Sequence, residues 1–136
     1  MNGSARGAAL RSAGAGLAGF VAYGGWAFWA NLEHGDAVAM RAGLLQGSYS
    51  FALTFASTLL MEGLYAFFVR RGDALRARLA TVAVTAVILL AVPVALHMLA
   101  GTPEIAMTVA PGFAIGMVYT WIYVAALTRR PPNRGV

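Results

Sequence analysis

The sequence predicts an all-α integral membrane protein, a four-transmembrane-helix bundle with both chain ends on the cytoplasmic side (N-in/C-in). Three observations predict it. Four apolar runs approach or exceed the roughly 20 residues that a spanning helix needs. The 136 residues are 60% hydrophobic and 11% charged, against about 25% charged in a typical soluble domain. Nine of the ten basic residues (Arg6, Arg11, Arg70, Arg71, Arg76, Arg78, Arg129, Arg130, Arg134) fall on one side of the runs, and Arg41 alone falls opposite, among Glu33, Asp36 and Glu104. Positively charged loops stay inside, so the arginine-rich side is expected to be cytoplasmic. With multiple passes, the expected location is the bacterial cytoplasmic (inner) membrane.

The length allows a single membrane domain, residues 1–136, with no room for a separate soluble catalytic module. There are no cysteines, which excludes disulfides, thiolate metal sites and cysteine nucleophiles. There is no lysine, which excludes a Schiff-base cofactor, and no cofactor is expected. The formal charge of +5 would suggest nucleic acid in a soluble chain. Arginines at the ends of apolar runs instead suggest topology and contact with anionic headgroups, so membrane lipids are the expected partners and nucleic acid is not.

Residues 1–12 are small and polar, with Arg6 and Arg11, and are expected to form a frayed cytoplasmic end. The first span is placed at about 13–31. A basic start and an apolar run also describe a signal peptide, but this run continues through Tyr23, Trp26, Phe28 and Trp29 without a clean A-x-A cleavage site near the expected place. Its glycines make it thin, which suits close packing inside the bundle. Trp26 and Trp29 lie where an interfacial aromatic belt is expected.

A polar loop from Asn31 to Asp36, closed by Arg41, leads to the second span at about 42–69, near 40 Å long at 1.5 Å per residue. It must tilt or project beyond about 30 Å of hydrocarbon. After Arg70 and Arg71, Gly72 suits a left-handed position past a helix end, and Asp73 suits the next N-cap. The third span is placed at about 79–100. Thr102 as a cap, Pro103 at the first helical position and Glu104 at the positive dipole end then start a fourth span at about 105–127. Pro93 and Pro111 each remove a backbone donor, freeing the carbonyls of Leu89 and Met107.

The second span carries the candidate site. Gln46, Ser50, Thr54, Ser57, Thr58 and Glu62 fall within about 160° of one helix face, with Gly43, Gly47, Met61 and Tyr65 among them. Leu45, Tyr49, Leu53, Leu59 and Leu60 collect opposite, on the face expected to meet lipid. The polar stripe would line a hydrated path or glue helices together, since Ser and Thr often bond the carbonyl four residues back. A carboxylate at Glu62, inside an apolar run, marks either a proton or cation site, or a side chain paired with Arg70, Arg76 or Arg78. The spacings Gly43/Gly47 and Gly112/Gly116 suit a close crossing within the bundle, with subunit dimerisation as the alternative. His97 and Glu104, grouped with His34, Glu33 and Asp36 on the outer side, are candidates for proton uptake or headgroup contact. Their spacing matches no metal motif, and a solvated loop with a lone interfacial histidine is the plainer reading.

In size and span number the chain resembles the small multidrug-resistance exporters and the GtrA-type proteins of polyprenyl-linked sugars. The resemblance covers architecture alone. The exporters place an essential glutamate in the first helix, and this chain has no glutamate before Glu33. Three functions remain: a small transporter or flippase-like protein moving a lipid-linked, amphiphilic or small polar substrate along the second span, dimeric and with proton coupling through Glu62; a non-catalytic accessory subunit on a larger membrane complex; or a lipid-modifying enzyme. Transport is preferred, and an enzyme is not expected.

Overall fold

The structure is a computed structural model that describes residues 3–129, with side chains from residue 13 onward. The described residues form α1 (Gly3–Ala30), a 3₁₀ turn (Leu32–His34), α2 (Asp36–Val69), α3 (Ala74–Leu99) and α4 (Ile105–Arg129). Consecutive helices run antiparallel, α2 also meets α4, and α1 meets α4. Three of them, α2, α3 and α4, are long and apolar enough to cross a membrane.

The pattern of burial is that of a helical membrane protein. Side chains such as Leu59, Val87, Leu99 and Ile122 are 64–87% exposed, while Asn31, Gln46, Thr81, His97, Thr108 and Thr120 are all but fully buried. Such a surface in water would be one large apolar patch. In lipid it is the expected arrangement, because apolar side chains gain nothing by hiding there and polar ones find partners inside.

Helix boundaries depart from the expected ones for identifiable reasons. Residues Ser4 to Leu10 hold no proline, and α1 extends through them from Gly3 rather than starting near residue 13; residues 1–2 of the expected frayed end lie outside the described residues. The α2 helix starts at Asp36, not 42, because Gly35 at φ 97° turns the chain and Asp36 meets the positive dipole end. At 34 residues it is about 51 Å long. Gly72 is not left-handed; among the described residues only Gly35 and Gly101 have positive φ.

Gly101, at φ 67°, ends α3 in a Schellman motif. Thr102 N–H donates to His97 O at 2.9 Å, and Gly101 N–H to Met98 O at 3.1 Å. This turn consumes Thr102, which therefore does not cap α4. That role falls to Glu104, whose carbonyl accepts from Thr108 N–H at 2.9 Å, and Pro103 lies before the helix. Asp73 does cap α3, its Oδ1 accepting from Arg76 N–H at 2.9 Å. That backbone hydrogen bond, with the nearby guanidinium, holds the Asp73 carboxyl below its usual range.

Two glycine pairs set the helix spacing. A methyl group on Gly24 would lie 2.8 Å from Gly43 O, and one on Gly47 would lie 2.9 Å from Phe20 O. The backbones of α1 and α2 therefore touch, and Gly43/Gly47 serves an internal crossing. Gly112 and Gly116 differ. They face the side chains of Gln46 and Leu89, at 3.3 and 3.1 Å, so side chains of α2 and α3, not backbone, fill the space they leave.

Candidate functional site

At the end that carries the 3₁₀ turn, a polar knot ties α1 and that turn to α4. Asn31, fully buried after the last turn of α1, donates from Nδ2 to Ala27 O and Thr108 Oγ1, both at 2.8 Å. Its Oδ1 accepts Glu104 N–H at 3.1 Å, satisfying a donor at the start of α4. Glu104 turns its carboxylate outward to His34 Nε2 at 3.1 Å. Nearby, Trp26 Nε1–H donates to Met107 O at 2.6 Å, the carbonyl that Pro111 frees. The indole is thus a partner for a gap left by proline.

His97 belongs to a second knot. It is 1% exposed, so it is not the lone interfacial histidine of a solvated loop, and it does not meet Glu104. Nε2 contacts Gln46 Oε1 and Nδ1 contacts Thr102 Oγ1, both at 2.9 Å. With Nε2–H donating to the amide oxygen, Nδ1 accepts from the Thr102 hydroxyl, and the ring is satisfied while neutral. The Schellman turn that swings Thr102 back under α3 makes this possible. No group of three or more metal-ligating side chains occurs among the described residues.

Below this knot the helices part around a cleft of about 360 Å³, within the range of about 300–1,000 Å³ of small-molecule sites. Gln46 lies at its closed end. Ser50, Thr54 and Ser57 of α2, Thr85 and Pro93 of α3, and Tyr23 of α1 form its walls, with Gly112, Gly116 and Thr120 of α4. Ala15, Ile115 and Tyr119 also line it and are exposed, the last two by 57% and 44%. The mouth therefore lies between α1 and α4, at the level of the apolar spans, and faces sideways.

The cleft uses a different face of α2 from the expected one. Tyr49, Leu53 and Leu60, assigned to lipid, line it, whereas Thr58, Glu62 and Tyr65 do not. The cleft-facing arc is rotated by about 70° from the centre of the polar stripe, counting 100° per residue. The glycines at the middle of that stripe meet α1, with Thr54 beside Gly19. Thr54 returns its hydroxyl to Ser50 O at 2.9 Å.

Glu62 is exposed on the bundle surface and accepts a hydrogen bond from Tyr123 Oη–H at 2.7 Å. Among the described residues it forms no ion pair with Arg70, Arg76 or Arg78: Arg76 meets Asp73 at 3.2 Å, and Arg78 lies over Trp121. Tyr65 packs with Tyr123 against Met61, Val82 and Val124. The expected site residues thus divide into three places: Gln46, Ser50, Thr54 and Ser57 in the cleft, with His97 behind Gln46; Glu104 in the outer knot; and Glu62 and Tyr65 beyond the cleft, with Thr58 also outside it. Residues not anticipated are Asn31 and Thr108 in the knot and Tyr23, Tyr49, Thr85 and Thr120 in the walls. A buried amide directly after an apolar run, at the depth of Thr108, was the available signal for the first two. Comparison with protein-family models, with curated proteins and with solved structures finds no match to this chain.

Proposed function

We propose that this chain is a four-span transporter of flippase-like type in a cytoplasmic membrane, with both ends of the chain inside, taking an amphiphilic molecule from the lipid through the sideways mouth between α1 and α4. The observation that carries the reading is the cleft itself. Its walls mix hydroxyls with aromatic and aliphatic groups, and its mouth lies among lipid-facing side chains. An amphiphile could slide in without leaving the membrane, its tail in acyl chains and its polar end against α2. The arginine bias supports the orientation.

The Gln46–His97–Thr102 knot closes the cleft toward the outer loops. Movement to that side therefore requires a second arrangement in which this knot parts, as alternating access demands of any carrier. Glu62 stands outside the cleft, so proton coupling through it is not part of the proposal. The test is movement of a fluorescent long-chain lipid across vesicles reconstituted with the chain, measured by quenching from outside. Movement that an Ala15→Phe plug in the mouth reduces supports the reading. A rate equal to that of empty vesicles overturns it.

A second reading, an accessory subunit on a larger membrane complex, is favoured by one observation. Glu62 and Tyr119, exposed at the level of the apolar segments with Tyr123 half-buried between them, form a polar strip on the bundle's outer surface. Another membrane helix would cover it well. Co-purification of a defined membrane partner that Glu62→Leu releases favours this reading over transport.

A further inference from the structure

Two hydroxyls in the cleft walls lack what their neighbours have. Thr54, Thr81, Thr108 and Thr120 each return the side-chain hydroxyl to the carbonyl four residues back, at 2.6–2.9 Å. Thr85, one turn after Thr81 on α3 and 2% exposed, does not. Its Oγ1 and the Oη of Tyr49 are the two buried side-chain oxygens without a hydrogen-bond partner among the described residues, and both residues line the cleft. In a helix, the local carbonyl is the default partner for a threonine. An orphaned buried hydroxyl costs free energy unless something else meets it. Tyr49 stands on α2 and Thr85 on α3, so two orphaned hydroxyls from different helices adjoin one cleft.

The second fact is an absence of charge. Every described residue that lines the cleft is neutral, and the charged residues of the described chain lie outside it. A phosphate or carboxylate drawn into this space would lose its water with no cation to offset the loss, and burying an unpaired ion is far costlier than burying a hydroxyl or ester. Tyr49 and Thr85 can both donate, so they suit an acceptor oxygen.

Resting on the proposed reading of the cleft as an amphiphile site, we infer that the occupant is an uncharged lipid: a molecule with one or two acyl or isoprenoid-like tails whose polar end is a hydroxyl, ester, ether or ketone oxygen held by Tyr49 and Thr85. Phospholipids and phosphate-linked lipids are excluded from the cleft itself.

The test uses two probes with identical tails, diazirine-bearing dioleoylglycerol and diazirine-bearing dioleoylphosphatidate. Each is added to the full chain in phosphatidylcholine nanodiscs, photolysed, and the labelled residues mapped by mass spectrometry. The diacylglycerol should label cleft residues such as Ser57 and Gly116 about tenfold or more above the phosphatidate, given the cost of burying an unpaired ion. Thr85→Val and Tyr49→Phe, each of which removes one hydroxyl and keeps the shape, should lower that labelling several-fold, while labelling of the lipid-facing Val87 stays constant and reports that the bundle is folded. Equal or stronger labelling of the same cleft residues by phosphatidate overturns the inference and leaves the amphiphile site standing. Undiminished labelling in both variants overturns the role of the hydroxyls. Labelling of Val87 without the cleft, by both probes, overturns the amphiphile reading as well.

Discussion

The two ends of this bundle solve the same problem in opposite ways. At the end with the 3₁₀ turn, every helix is tied to another by a named contact: the Gly24–Gly43 backbone crossing, Asn31 to Thr108 and Glu104, Trp26 to Met107, and Gln46 to His97. Toward the other end a small apolar cluster around Met61, Val82 and Val124, with the Tyr123–Glu62 hydrogen bond beside it, holds the helices, and a cleft opens between α1 and α4. A bundle in lipid has no hydrophobic force to hold its helices together, so tight crossings and hydrogen bonds must do it. Concentrating them at one end leaves room for the cleft in the other half. The lesson is that the polar residues of the second span do two jobs, and their place along the helix decides which.

The comparison breaks most readily at the crossing. Gly43→Leu places a side chain where a methyl alone would stand 2.9 Å from Gly24 O. Overpacking of this kind costs about 3 kcal/mol, and with backbone as the obstacle the expected outcome is loss of folded protein in detergent. Gly63→Ala, where nothing lies within 4 Å, should leave folding intact or raise stability by about 0.5 kcal/mol. Equal tolerance at the two sites would contradict the account of a closed end.

Next in size is Asn31→Ala. It removes three hydrogen bonds and strands Glu104 N–H, a loss of roughly 2 kcal/mol in reversible unfolding, since membrane-protein hydrogen bonds average well under 1 kcal/mol apart from such stranding. A double-mutant cycle of Gln46→Leu with His97→Phe sharpens the picture further. The two side chains meet at 2.9 Å, and a coupling of about 0.6–1.7 kcal/mol is expected; no coupling would mean the knot does not act as a unit. Thr54→Val, whose hydroxyl is used locally, should change stability and labelling little.

The smallest effect is electrostatic and lies outside the membrane. Because the Asp73 carboxyl titrates below its usual range, its contribution to holding the start of α3 is present above the unfolded value of about 3.9 and fades as pH falls through the lower folded value. Asp73→Ala should remove that acid-range dependence and lower stability at neutral pH through loss of the cap. A variant whose unfolding keeps the same pH profile would show the cap to be idle.

Much of this was legible in the residues. Four helices, the Gly43/Gly47 crossing, the Asp73 cap and the carbonyl freed by Pro111 follow from spacing and local chemistry. What was not legible came from rotation and distance. Polarity placed the centre of the α2 stripe, yet the cleft wall is half apolar, so Tyr49, Leu53 and Leu60 carried no mark of their position. His97 read as an interfacial residue because its partner Gln46 is 51 residues away and the turn that brings Thr102 back to it depends on Gly101. Glu62 drew attention as a carboxylate in an apolar run, and the structure sets it on the surface with Tyr123, beyond the cleft.

The central claim, that the cleft admits a lipid-like molecule from the side, is tested most directly by one nitroxide. The chain has no cysteine, so Ser57→Cys carries a single spin label inside the cleft and Val87→Cys a reference label on the lipid-facing surface. Collision of the Ser57 label with dissolved oxygen should fall by half or more when dioleoylglycerol is added to phosphatidylcholine nanodiscs, with the Val87 label unchanged. A Ser57 label indifferent to the added lipid, tracking the Val87 label throughout, would contradict the account.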